Sequence, residues 1–206
     1  MNLTLPKLKD MFTAAAKVVA ENEKYLCELD AACGDGDHGV AIKGAIGAAN
    51  ASIQGATNLK DAFFDGGMAA MSHSNGSTSS IYGTLLMGVS DGIAAGAEEL
   101  DAAALAKAFE DGLASMRDVV KGDVGDKTCF DALIPAIRAM AGKSTVEELL
   151  NAAAEAADAG AKNTVNLKAK FGRARNLGDK SVGTLDPGAV SNAMIFDAFA
   201  KTFSAK

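Results

Sequence analysis

The feature that most constrains this chain is an apolar spacing of three and four residues that recurs from end to end and is interrupted at four places by glycine-rich polar segments. Leu5, Leu8, Met11, Phe12, Ala15, Val18, Val19, Leu26 and Leu29 lie on one such stripe, the pattern of an amphipathic helix with a single buried face. The same reading predicts seven more helices, over 39–56, 58–73, 78–96, 101–118, 127–141, 145–169 and 187–203. Proline occurs three times, tryptophan is absent and runs of β-branched residues are short, so nothing in the propensities competes with helix.

Several of these helices carry their own start and stop signals. Asn58 with Asp61, and Thr145 with Glu148, have capping-box spacing, in which the first side chain accepts a bond from a free backbone N–H. Asp186 precedes Pro187, placing a capping oxygen ahead of a residue whose missing N–H costs nothing at a first helical position. Gly96, Gly122 and Gly142 follow periodic stretches and suit left-handed helix ends. With 206 residues the chain is long enough for one core without disulfides, and no repeat or low-complexity linker divides it. The expectation is an all-α single domain over 1–206, a bundle or barrel of eight antiparallel helices. A four-helix bundle with short appended helices is the alternative.

The interruptions fall at 33–39, 74–83, 121–128 and 171–188, after predicted helices one, three, five and seven. If the helices alternate in direction, all four junctions share one end. Glycine-rich loops converging on one rim describe a binding site.

Composition narrows what that site binds. A net charge of -6 argues against direct nucleic-acid binding and against an anionic membrane surface. Cys27, Cys33 and Cys129 include no C-x-x-C pair, which suits a reducing compartment and offers no zinc framework. The N-terminal segment has no uninterrupted apolar run and no stretch reaches the length of a membrane span, so the expected location is cytoplasmic.

The first junction crowds Asp30, Asp35 and Asp37 around Gly34, Gly36 and Gly39. An EF-hand is excluded, because counting from Asp35 or from Asp30 puts Ile46 or Ala41 where a bidentate glutamate is required. Zinc is disfavoured, since His38 and His73 are the only histidines. Oxygen-only ligands suit Mg²⁺, which is usually held by a few carboxylates together with substrate phosphates; three aspartates suggest more than one ion. The same acids could instead cap the following helix. In the second junction Ser74, Ser77, Thr78, Ser79 and Ser80 lead into a helix start, a suitable phosphate seat, although such starts are also ordinary caps. The fourth follows a segment that sets Lys162, Lys168, Lys170, Arg173, Arg175 and Lys180 against the single acid Asp179; arginine's forked donors match phosphoryl oxygens, whereas a solvated basic face would need no ligand. The third brings a glycine turn with Asp126 and Thr128 ahead of a helix near Cys129.

Taken together, "GDGDHG", "NGSTSSIYG", "GDKTCFDALIPA" and "GRARNLGDKSVGTLDPGA" resemble the L subunit, or DhaL domain, of the dihydroxyacetone kinases, in the family's order and over nearly the whole chain. The resemblance implies a barrel of eight antiparallel helices with a nucleotide, ADP or ATP, at one end and two Mg²⁺ held by Asp30, Asp35 and Asp37. It also implies nucleotide contacts from His38, Gly39, Ser77, Thr78, Gly122, Cys129, Arg173, Asp186, Pro187 and Gly188, and catalytic roles for the aspartates and Arg173. The implied partners are a substrate-binding K subunit, which holds the ketone, and a phosphohistidine protein of the phosphotransferase system that recharges bound ADP. Direct use of ATP, or a non-catalytic role beside a transcription regulator, are the alternatives. The chain departs from the family pattern at Ser79 and Ser80, where glycine and proline are common, and at Ala41, where asparagine is common.

Overall fold

The computed structural model describes residues 1–74 and 76–205. Nine α-helices are found among them: α1 (Leu5–Glu21), α2 (Glu23–Ala31), α3 (His38–Gly55), α4 (Leu59–His73), α5 (Ser77–Asp91), α6 (Ala102–Val119), α7 (Phe130–Met140), α8 (Val146–Asn163) and α9 (Pro187–Ser204). The chain is all-α apart from one two-residue ladder in which β1 (Leu3–Thr4) pairs antiparallel with β2 (Glu99–Leu100), Leu3 opposite Leu100. Short 3₁₀ turns occupy Thr164–Asn166 and Arg173–Ser181.

From α3 onward each helix packs on the next one in sequence, α8 packs on α9, α9 returns to α1, and α1 packs on α3; α2 lies against α3. The interior between them is apolar. Phe12, Phe63, Phe109, Phe196 and Phe199, from α1, α4, α6 and α9, meet edge-on or tilted with centroids 5.2–6.4 Å apart, the arrangement that ring quadrupoles favour. Close approach in the wall rests on missing side chains: a Cβ on Gly67 of α4 would lie 2.9 Å from the Gly83 carbonyl oxygen of α5, and one on Gly83 would lie 2.9 Å from that of Gly67. No described helix is long and apolar enough to cross a membrane.

Four of the expected spans are corrected. The first predicted helix is two, because Asn22 leaves helical geometry (φ -106°, ψ 11°) while its Nδ2 donates to the Val18 carbonyl at 2.8 Å and starts a new turn; the apolar stripe continues across the break and so conceals it. The span expected to reach 96 stops at Asp91, where Lys60 Nζ takes the carbonyls of Ser90 and Ile93 at 2.8 and 2.9 Å. The helix expected from 127 begins at Phe130, because the Asp131 carboxylate accepts the N–H groups of Gly125 and Thr128 and holds that segment as a turn. The span expected to reach 169 ends at Asn163, and Thr164 Oγ1 donates back to Ala161 at 2.6 Å as the chain turns off its axis.

Candidate functional site

Residues from all four glycine-rich junctions line one cavity of about 600 Å³. They come from the α2–α3 turn, the start of α5, the stretch between α6 and α7, and the long loop between α8 and α9. A second groove of about 710 Å³ runs between α8 and α9 and shares no residue with it.

On the acidic side, Asp30, Asp35 and Asp37 each offer a carboxylate oxygen, and these oxygens lie within 4.8 Å of one another. Asp30 is fixed by its own helix end: one oxygen, Oδ2, accepts the N–H groups of Asp37 and His38 at 3.0 and 3.2 Å and so holds the start of α3. Its other oxygen, Oδ1, lies where a Cβ on Gly34 would come within 2.3 Å, so only glycine fits beside it. Asp30 thus caps the start of α3 and also offers a carboxylate oxygen within 4.8 Å of those of Asp35 and Asp37. Asp35 pairs with Arg173. Burial, then Asp35 and Asp30 beside it, push the Asp37 carboxyl above its ordinary value, and Arg173 opposes that only in part. Three hard oxygen donors with one arginine between them form a set that a small divalent cation fits.

Facing them is the start of α5. Its N-cap is Gly76, and among the described residues no side chain caps the first turn; the positive end of the helix opens into the cavity at Ser77 and Thr78, both in the lining. The buried Ser79 hydroxyl turns back to Ser74 Oγ at 2.9 Å. Asn75, at the head of the "NGSTSSIYG" motif, lies outside the described residues. Ile81, Tyr82, Cys129 and Phe130 form an apolar wall. Tyr82 donates to Asn192 Oδ1 at 2.8 Å, while Asn192 Nδ2 reaches the Cys129 and Gly188 carbonyls at 3.3 and 3.1 Å, tying α5, α7 and α9 together. His38 Nε2 lies 2.9 Å from Ser191 Oγ, and burial lowers its pKa, so the ring is held neutral. Burial raises the thiol pKa values of Cys33 and Cys129 and the phenol of Tyr82; none of them is an activated nucleophile. Asp186 caps α9 through the Ala189 N–H at 2.7 Å, and burial pushes its carboxyl up to about 7.

Asp30, Asp35, Asp37, His38, Ser77, Thr78, Cys129, Arg173, Asp186, Pro187 and Gly188 all belong to the cavity lining. Gly39 and Gly122 do not. Gly39 is packed under α2, where a Cβ would strike the Glu23 carbonyl, and Gly122, at φ +154°, backs onto the Phe130 ring. Ala41 reaches the rim. The sequence reading missed Lys127, buried in the lining at a left-handed φ of +57°. It also missed the Tyr82–Asn192 link. A lysine between Asp126 and Thr128 carries no periodic signal; its oddity appears only once the backbone sign is known.

The DAK2 domain matches residues 32–201, and the chain belongs to the DAK2 domain family. Among its relatives is the ADP-binding subunit DhaL of PEP-dependent dihydroxyacetone kinase 1 from Listeria innocua, 34% identical over 186 residues, which span 89% of each chain. The L-erythrulose kinase of Pectobacterium atrosepticum is 35% identical over 197 residues; the match takes in 90% of this chain but 32% of that longer one. Among solved structures, the dihydroxyacetone kinase from C. freundii in complex with AMP-PNP and Mg²⁺ superposes with a TM-score of 0.75 at 27% identity, covering 94% of this chain and 33% of the other.

Proposed function

We propose that this chain is the nucleotide-binding phosphoryl-transfer subunit of a two-component kinase for dihydroxyacetone or a similar short hydroxyketone, working on Mg-ADP that a phosphohistidine protein of the phosphotransferase system recharges. One observation carries the reading: three carboxylates within 4.8 Å share a cavity with an arginine and with a helix start that no side chain caps among the described residues. In this reading 1–206 is a single domain and its wall is a barrel of eight antiparallel helices, α1 and α2 counting as one broken helix. The protein works in the cytoplasm.

Asp30 Oδ1, Asp35 and Asp37 would hold the metal, two Mg²⁺ by our reading. Magnesium, when bound, draws charge from the β-phosphate and from the phosphoryl oxygens in flight. Ser77 and Thr78, at the open end of α5, orient the β-phosphate with their backbone N–H groups. Arg173 exchanges its Asp35 partner for phosphoryl oxygens, which its planar fork suits. Ile81, Tyr82, Cys129 and Phe130 give an apolar bed for the base, with His38, Asp186, Pro187 and Gly188 beside it. Gly39 and Gly122 act from behind the lining, keeping α3 and the 121–128 turn in place. With the thiols and the phenol held protonated, Cys33, Cys129 and Tyr82 supply no thiolate or phenolate, which suits direct transfer between bound nucleotide and a partner-held acceptor. A K subunit would present the ketone.

The erythrulose kinase relative supports a second reading, in which a domain of this type serves a four-carbon ketose with exchangeable ATP as donor. Native mass spectrometry after desalting, followed by assay with the K subunit, separates the two. Retained ADP with no turnover from ATP supports the relay, and rapid exchange with ATP-driven turnover refutes it. Binding of a transcription regulator without turnover, K subunit supplied, would replace both with a regulatory role.

A further inference from the structure

The long loop between α8 and α9 includes a strap of about twenty residues, from Val165 to Leu185, that carries Arg173 to the acidic cluster, where it pairs with Asp35. Little of it is buried, and Gly172 and Gly178 bend it at φ +64° and +56°. Its own ties are few: the buried Ser181 Oγ accepts the Ala169 N–H at 3.0 Å and donates to the Gly178 carbonyl at 2.7 Å, and Lys168 pairs with Asp179 at 2.7 Å. What ties the strap to the body of the molecule is the turn Asp126-Lys127 between α6 and α7. The Asp126 carbonyl accepts the Lys170 N–H at 3.0 Å, and its carboxylate takes Lys170 Nζ at 2.8 Å. Lys127 reaches further: its Nζ donates to the Thr164 carbonyl at 2.6 Å and also to the Thr184 carbonyl. Those two carbonyls stand at the two ends of the strap. Between them the Gly183 N–H bonds the Val165 carbonyl at 2.8 Å and the Asp186 N–H bonds Thr164 Oγ1 at 2.9 Å.

Lys127 is placed there at evident cost. It is 1% exposed, takes a φ that side-chain-bearing residues rarely adopt, and forms no ion pair with a carboxylate among the described residues. Burial disfavours the ammonium, and the nearby Asp186 and Asp131 carboxylates offset that in part without pairing with it directly. The Thr164 carbonyl also accepts the Leu167 N–H at 3.1 Å, whereas among the described residues Lys127 is the donor that the Thr184 carbonyl finds. A single ammonium can serve two acceptors converging from different segments, since its three donors radiate from one nitrogen.

We propose that Lys127 is a positioning residue for phosphoryl transfer: its ammonium clamps both ends of the strap and so sets Arg173 over the acidic cluster. The proposal rests on the phosphoryl-transfer reading for its consequence, though not for the clamp itself. Two measurements on the full chain test it, with Lys127→Met as the variant because it keeps the stem and removes the charge. Hydrogen exchange without nucleotide reads the clamp: amides in 167–183 exchange roughly tenfold faster or more in the variant, while those of α4 and α5 do not change. A double-mutant cycle with Arg173→Ala, assayed with the K subunit, reads the positioning. Arg173→Ala should cost at least roughly tenfold in kcat in the wild-type background and less than roughly threefold in the Lys127→Met background, because the arginine is already displaced. A purely structural lysine would instead give additive losses. Unchanged strap exchange, or additive costs, overturns the proposal. Should Lys127→Met not fold, Lys127→Arg takes its place in both measurements; its planar fork cannot put both carbonyls on one nitrogen, and the same two outcomes decide. If wild-type protein neither retains ADP nor supports transfer, the functional reading falls and the exchange result still decides the clamp.

Discussion

Helix starts at the two ends of this molecule are built differently. Away from the cavity, α4, α6 and α8 begin with Asn58, Asp101 and Thr145, and each side chain accepts the N–H three residues on. At the cavity, α3, α5 and α7 begin with Asp37, Gly76 and Cys129, none of which caps its own helix with its side chain. The left-handed residues divide the same way: Gly36, Gly122, Gly125, Lys127, Gly172, Gly178 and Gly183 lie in the cavity junctions, against Gly96 and Gly142 elsewhere. Three of the helix starts at the far end satisfy their backbone locally, as a stable fold prefers, α1 behind Thr4 being the exception. The other end leaves the start of α5 without a side-chain cap among the described residues, holds those of α3 and α7 from Asp30, Thr128 and Asp131 rather than from their own N-caps, gathers like charges and bends the chain through left-handed turns, and such departures from local consistency concentrate where a ligand completes the structure.

Substitutions at the two ends should therefore separate function from stability. The largest effect is expected at Asp30. Asp30→Asn keeps an oxygen for the α3 N–H groups but removes the charge, so transfer with the K subunit should fall roughly a hundredfold or more while the melting temperature changes little. Asp30→Ala loses the cap as well and should add a stability loss of about 1 kcal/mol, with the helical spectrum retained. Full activity in either variant would remove Asp30 from the metal site.

Next comes Asp186, the one cavity-end helix start with its own cap. Its carboxyl is raised from 3.8 to about 7, so the folded protein holds a proton there that the unfolded chain releases. Its stabilising contribution is complete below the unfolded value and is lost as pH rises through the folded one. Asp186→Asn keeps the cap and cannot ionise, so in nucleotide-free protein the gap between variant and wild type should widen in the variant's favour from pH 4 to pH 7 and then stay level. Thermal melts across that range check it, and parallel curves would show that Asp186 ionises normally. The smallest effect belongs to the self-capped end: Asp101→Ala should cost about 1 kcal/mol of stability and leave ADP retention and transfer unchanged.

The same contrast sets how much could be read from sequence. Helices with their own caps announced themselves: Asn58 and Thr145 mark α4 and α8 to within a residue. Where tertiary contacts decide, the pattern misled. Asp131 reaches back to hold a turn, Lys60 ends α5 from a neighbouring helix, and Asn22 breaks a stripe that stays apolar on both sides. The convergence of four junctions on one end was legible, because it needs only helix count and alternation. The roles of Lys127 and Asn192 were not, since each depends on partners 37 or more residues away and on backbone geometry that single-residue propensities do not encode.

The measurement that bears most directly on the site is a crystal structure grown with ADP and Mn²⁺ standing in for Mg²⁺, with anomalous maps to locate the metal. The account expects metal between Asp30 Oδ1, Asp35 and Asp37 and the diphosphate against the start of α5. Metal-free carboxylates, with the nucleotide bound in the α8–α9 groove or nowhere, would contradict it.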